Sequence, residues 1–322
     1  MKSSKTFTKY IRTITLSLAP VLFLSAAGIL FTQGLLFAAE KKVLTTFFPL
    51  YIHALNIAGD KAKIDVLLQP GMGIHDFKPK PSDMKKVAAA DIIVTNGAGL
   101  DNFVGSLIES SGNASARVVD SSKNIKLICG TAACGHDHSN EFETAAHGEI
   151  SDPHTWASVK NAVIQVKNIT DALADSDREN AAFYLKNSQE YIKKLEEIDK
   201  SATEKLAGFK GRKFITYHGP FSYFAKDYGL IQSSIADMTG NAPAPSKLKE
   251  TYDSIKKENI RFIVSEPAYQ DRETKTITEE LKIQVVELDP IESYNQSSEI
   301  KTYFIDKMKE NIDKIAAAFK LK

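Results

Sequence analysis

Three histidines and one aspartate stand where they could share a metal ion. His75 follows the apolar run Lys63–Leu68, with only Gln69–Ile74 between. His218 and Asp289 directly follow the runs Lys213–Tyr217 and Gln284–Leu288. His154 lies in Ser151-Asp152-Pro153-His154-Thr155-Trp156, beside the only tryptophan of the chain. Three neutral imidazoles and one carboxylate match a tetrahedral divalent site with bonds of about 2.0–2.2 Å. That donor set suits zinc and other borderline metals, whereas several carboxylates would suit manganese, magnesium or calcium better. A single histidine at a strand end is more often a hydrogen-bonded structural residue, so the case rests on four such positions agreeing. No His-Glu-x-x-His module is present, which argues against peptidase chemistry.

The elements that must position these residues alternate. Lys42–Phe47, Lys63–Leu68, Asp91–Thr95 and Arg117–Asp120 read as strands separated by helices at Pro49–Ala58, Ser82–Ala90 and Asp101–Ser110. The same grammar returns with strands at Lys213–Tyr217, Leu230–Ile235, Arg261–Ser265 and Gln284–Leu288. Strand–helix alternation at this spacing implies parallel sheets covered by helices on both faces. Apolar residues at helical spacing over Ser158–Ala174 and Asp177–Leu206 predict two helices between the repeats. The second, at nearly thirty residues and roughly 45 Å, reads as a rigid strut. The fold class expected is therefore α/β, with lobes at 40–176 and 208–322, a linker helix at 177–207 and a metal site in the cleft. Ligands in such sheets collect beyond the carboxyl ends of the strands, where the four candidates fall.

Size and charge agree with this reading. A chain of 322 residues with 43% hydrophobic side chains can build two domains. The balance of 41 basic against 40 acidic residues gives no reason to expect a nucleic-acid partner. Residues 1–39 carry Lys2, Lys5, Lys9 and Arg12 and then a nearly continuous apolar run, Ile14–Ala39. This reads as a secretory signal peptide cleaved near residue 39, which places the protein in the periplasm. An uncleaved anchor is the alternative, since the run could cross a bilayer of about 30 Å. Cys129 and Cys134 can form a small disulfide loop in an oxidising compartment, or join His136 and His138 in a second metal site. The polar stretch Gly130–Asp152, with His147 as well, reads as a surface loop with weak metal affinity or simply as a solvated one.

Read in order, a set of short motifs carries a resemblance. They are Pro70-Gly71, His75-Asp76-Phe77-Lys78-Pro79, Pro81-Ser82-Asp83 and Asn96-Gly97-Ala98-Gly99-Leu100. Asp152-Pro153-His154-Thr155-Trp156, Tyr217-His218, Tyr223-Phe224-Ala225, Ser265-Glu266-Pro267 and Leu288-Asp289-Pro290 continue it. The chain resembles the metal receptors of bacterial ABC importers, the zinc- and manganese-binding extracytoplasmic proteins. The resemblance implies His75, His154, His218 and Asp289 as ligands. It implies Zn²⁺ as the transported ion, with Mn²⁺ or Fe²⁺ as the alternative, a cognate ABC permease as partner, and a monomer with no enzymatic activity. An imidazole at His218, where manganese-type members usually carry a carboxylate, favours zinc. Glu266 is expected to orient an imidazole, and Trp156 to pack behind His154 with its indole N–H on a backbone carbonyl. Two other classes stay open at this point: a zinc hydrolase with Asp289 or Glu266 as base, and a surface adhesin.

Overall fold

A computed structural model of the chain describes residues 40–68, 77–129, 151–237, 241–267, 272–292 and 299–321. The expected signal segment, His75, Cys134, His136, His138 and His147 lie outside the described residues.

The eight apolar runs all become strands. The first sheet uses β1 (Lys41–Thr45), β2 (Ala62–Val66), β3 (Ile92–Thr95) and β4 (Arg117–Asp120), ordered β2-β1-β3-β4. The second uses β5 (Lys213–Thr216), β6 (Ile231–Ser234), β7 (Phe262–Ser265) and β8 (Gln284–Glu287), ordered β6-β5-β7-β8. Every pairing is parallel, with Val43 opposite both Ile64 and Ile92, and Ile215 opposite Ile263. The crossover helices of the first sheet are α1 (Phe48–Ala58), α2 (Pro81–Ala89) and α3 (Phe103–Ser111). In the second sheet they are α6 (Ser222–Tyr228), α7 (Pro245–Glu258) and α8 (Arg272–Leu281). Between the sheets run α4 (Val159–Ser176) and α5 (Ala181–Leu206), and α9 (Tyr303–Ala318) ends the chain. Proline opens α1, α2 and α7, where its fixed φ suits the first turn and no N–H is lost.

Strand alternation decides how the two sheets are joined. Val43, Ile92, Val94, Phe214, Phe262 and Val264 all contribute to one shared core with Trp156 and residues of α4, α5 and α9. Their immediate neighbours point to the other faces. Leu44 and Ile93 pack with Val87 and Leu107, and Ile215 and Ile263 pack with Ile255 and Ile277. Each sheet thus has a private outer layer and a common inner one, so residues 41–322 form one compact unit. The outermost strands are the least covered: Val118 of β4 is 50% exposed and Val285 of β8 is 51% exposed.

The spanning helix is shorter than its pattern implied. It begins at Ala181 because Asp177 stops α4, and the Asp177 carboxylate then accepts bonds from Asn180 Nδ2 (2.8 Å) and Tyr184 Oη (2.7 Å). Twenty-six residues give a rod of about 39 Å. Its buried stripe is Tyr184, Ser188, Tyr191, Leu195, Ile198, Ala202 and Leu206. Leu185, next to Tyr184 of that stripe, faces outward. The rod is tied to α1 through Asn187 Nδ2 on the Ile57 carbonyl (3.0 Å), and to α9 through Lys205 and Asp313.

Candidate metal centre

Chain order makes the crevice. In each sheet the connections diverge between the two central strands, β1 and β3 or β5 and β7, which opens a gap at their carboxyl ends. At the first gap, Asp101 accepts bonds from Thr46 Oγ1 (2.7 Å), Asn96 N (2.6 Å) and Gly97 N (3.1 Å). Gly97 has φ +77, and a Cβ there would meet Asp120 Oδ1 at 2.0 Å, so the turn requires glycine. Burial pushes the Asp101 carboxyl up, and those three donors oppose the shift.

The turn so fixed aims Asn96 at the histidine-bearing segment. Asn96 Nδ2 donates to the Pro153 carbonyl (2.9 Å) and its Oδ1 accepts from Thr155 Oγ1 (3.1 Å). Asp152 Oδ1 accepts both the His154 backbone N–H (2.9 Å) and the ring Nδ1–H (2.8 Å). His154 is completely buried, with Nδ1 committed and Nε2 aimed at the second lobe. Trp156, two residues on, donates its indole N–H to the Pro290 carbonyl at 2.8 Å, as its type suggested.

In the second lobe, His218 follows β5 and Glu266 follows β7, so the two central strands place them side by side. His218 Nδ1 lies 2.9 Å from Glu266 Oε1 and 2.7 Å from Oε2. Both imidazoles therefore give Nδ1 to a carboxylate and present Nε2. That is the arrangement by which an outer carboxylate fixes the tautomer and raises the basicity of a metal-binding histidine.

The third group is Glu292. Its Oε1 is 3.6 Å from His218 Nε2 and 3.9 Å from His154 Nε2, and the two rings stand 5.2 Å apart at 69°. These are the His, Cys, Asp and Glu residues that could hold a metal among the described residues, with ligand atoms all within 4.8 Å of one another. Tetrahedral zinc with bonds of about 2.0–2.1 Å needs ligand atoms roughly 3.3–3.4 Å apart. The two imidazole–Glu292 distances would close by roughly 0.2–0.6 Å onto such an ion. Three buried carboxyl groups, Asp152, Glu266 and Glu292, surround two imidazoles, so the cluster demands positive charge. Burial alone would strip the His218 proton, but the Glu266 and Glu292 carboxylates outweigh it, and the ring is pushed up to about 10. Burial raises the Glu266 carboxyl too, opposed by His218, so that the pair holds one proton tightly.

The sequence-derived candidates separate here. His154 and His218 meet, and Glu266 takes the orienting role expected of it. His75 lies outside the described residues. Asp289 is not in the cluster, and its carboxylate is used locally. Oδ1 accepts the Ile291 N–H (2.7 Å) and Oδ2 accepts Tyr303 Oη (3.0 Å). An aspartate before proline that bonds the amide two residues on is an Asx turn, which removes the side chain from the cleft. Glu292 was not singled out from the sequence; the available signal was a second acid just beyond that turn. Cys129 is disulfide-bonded, and Cys134 is the only other cysteine in the chain. His53 is fully buried, with Nδ1 3.2 Å from Tyr191 Oη and its ring against Phe304; burial lowers it to about 3.

Two parallel α/β lobes on one spanning helix, with imidazoles meeting a carboxylate between them, define a metal-type solute-binding protein. The chain belongs to the family described as zinc-uptake complex component A periplasmic (ZnuA), matched over residues 43–318. It is 32% identical to the high-affinity zinc uptake system protein ZnuA of Bacillus subtilis over 299 residues, covering 91% of this chain and 92% of that protein. It is 31% identical to the zinc-binding protein AdcA of Streptococcus pyogenes over 266 residues, 79% of this chain. The chain spans only 51% of AdcA. Among solved structures, the Zn(II)-bound AdcAII variant of Streptococcus pneumoniae superposes with a TM-score of 0.76 at 27% identity, covering 87% of this chain and 99% of that one. No helix among the described residues is long and apolar enough to cross a membrane.

Proposed function

We propose that this protein is an extracytoplasmic receptor that captures Zn²⁺ and hands it to the membrane permease of an ABC importer. The observation that carries the reading is the convergence of His154 Nε2, His218 Nε2 and Glu292 Oε1, with both Nδ1 atoms held by carboxylates. In this reading His75 supplies a third imidazole from the segment after β2, and Glu292 takes the carboxylate place first given to Asp289. Lobes 40–176 and 208–322 each contribute ligands, so the ion binds them together, and the strut at 177–207 restricts their motion to small displacements. Imidazole-rich coordination favours zinc over manganese. Residues 1–39 act as the export signal, in keeping with their basic start and apolar run.

The test is the metal content of protein recovered from outside the cytoplasm, for wild type and for His75→Ala, His154→Ala, His218→Ala and Glu292→Ala. Zinc in the wild type and its loss in each variant is the expected result. Wild-type protein that takes up manganese in preference to zinc at equal supply would overturn the zinc assignment. Retention of zinc by all four variants would overturn the site.

A further inference from the structure

Glu292 is delivered by a turn whose backbone is under strain. Ile291 has φ +63 and is completely buried, and it is the only β-branched residue at positive φ among the described residues. An isoleucine there is a genuine outlier, since its branched Cβ crowds the following carbonyl. Such a conformation persists only when its surroundings hold it, and two grips do so here. From the second lobe, Asp289 accepts the Ile291 N–H, while Asn311 of α9 clasps Asp289 on both sides. Asn311 Oδ1 accepts the Asp289 N–H (2.9 Å) and its Nδ2 donates to the Asp289 carbonyl (2.7 Å). From the first lobe, the Trp156 indole N–H holds the Pro290 carbonyl, immediately before the strained residue. Trp156 is itself packed edge-on to Phe47 at 4.6 Å and lies 5.1 Å from the His154 ring.

We propose that the Trp156–Pro290 hydrogen bond is a catch that keeps the strained Ile291 turn set, so that Glu292 faces the metal only while the lobes are together. Trp156 is then a positioning residue, acting on the metal through a turn in the opposite lobe. When the lobes part, the bond is lost, Ile291 relaxes to negative φ and Glu292 is drawn off the ion. Separation of the lobes and weakening of the site become one event, which suits a receptor that must release its ion at the permease. The proposal rests on Glu292 being a ligand.

The experiment measures zinc dissociation from the full-length loaded protein with an excess of chelator. Removing the indole donor in Trp156→Phe should speed release by about three- to tenfold, the worth of one buried hydrogen bond. Ile291→Gly, which adopts φ +63 without penalty, should slow it by about fivefold. The double variant should return to within about twofold of wild type, because glycine keeps the turn set without the catch. Glycine at 291 cannot repair packing around His154, so this rescue separates positioning from a general packing role. Wild-type release in Trp156→Phe, or a double variant as fast as Trp156→Phe, overturns the catch. If Trp156→Phe does not fold, unchanged or faster release in Ile291→Gly overturns it alone. Glu292→Gln distinguishes the premise: wild-type release there sinks the ligand assignment, whereas fast release there with inert Trp156→Phe sinks only the catch.

Discussion

Replacing Glu266 by glutamine probes the electrostatics of the site at one atom pair. In the wild type the His218 ring is pushed up to about 10, because the Glu266 and Glu292 carboxylates outweigh the burial that would strip its proton. Below that value the metal-free ring is protonated, and zinc must displace the proton from Nε2. At about pH 7.5 this competition costs about 3 kcal/mol, at about 1.36 kcal/mol per unit below the folded pKa. Glutamine keeps the shape and an acceptor for Nδ1–H but removes the charge. Burial is then opposed by Glu292 alone, and the ring falls from its raised value toward the ordinary histidine range. Affinity is a poor readout, since loss of the outer carboxylate costs about 10–100-fold while loss of proton competition works the other way. Proton stoichiometry has no such ambiguity. Calorimetry in buffers of different ionisation enthalpy at about pH 7.5 should show the wild type releasing about one proton more per zinc than Glu266→Gln. Over about pH 7–9, wild-type affinity should climb more steeply, by about tenfold per unit more than that of the variant. Equal proton release from the two proteins would refute the reasoning, because Glu266 would then not be what holds the His218 proton.

Asp289→Asn should bind zinc in the same stoichiometry as the wild type while losing about 1–3 kcal/mol of stability, since its Asx turn and Tyr303 bond lose an ionised acceptor; loss of zinc at saturating metal would restore Asp289 as a ligand. His53, lowered by burial to about 3, binds fewer protons folded than unfolded between about pH 6.5 and 3. Its contribution is thus whole above about pH 6.5 and fades as pH falls, by about 2 kcal/mol at pH 5. Urea midpoints should therefore drop less between pH 7 and 5 in His53→Gln than in the wild type, and equal drops would exclude His53 as a source of acid lability. Reducing the disulfide of Cys129 should cost about 2 kcal/mol, the closure entropy of a loop of about six residues, and leave bound zinc in place. Zinc lost on reduction would show that the disulfide loop supports the metal site.

The lobes were legible because most strands are short β-branched or apolar runs followed by a helical pattern, and register and order add nothing that this alternation contradicts. Strand ends also pointed to His154's partner, His218, and to Glu266. The carboxylate expected at Asp289 stands apart from the cluster for a local reason. Asp289 stands directly after β8, but Asp-Pro is turn chemistry, and its side chain closes its own Asx turn. Glu292 lies five residues past the strand, beyond an isoleucine at positive φ that no propensity would anticipate. The start of α5 was misread because Asp177 and Asn180 can be helical or capping, and only the Tyr184 hydroxyl on Asp177 decides between them. His53 reads equally as surface or core, since its burial depends on Tyr191 and Phe304, far along the chain.

Each sheet is drawn from one unbroken stretch of sequence, residues 41–120 and then 213–287. A chain that emerges from its N-terminus can therefore complete the first sheet before the second exists, without waiting for distant strands. The inner layer cannot be finished so early, because α9 is the last helix made and Trp156 has no carbonyl to hold until Pro290 arrives. The fold thus assembles its frame first and brings His154, His218 and Glu292 together last. Chains caught midway through synthesis carry a finished first lobe with His154 in place but without His218 and Glu292 from the second.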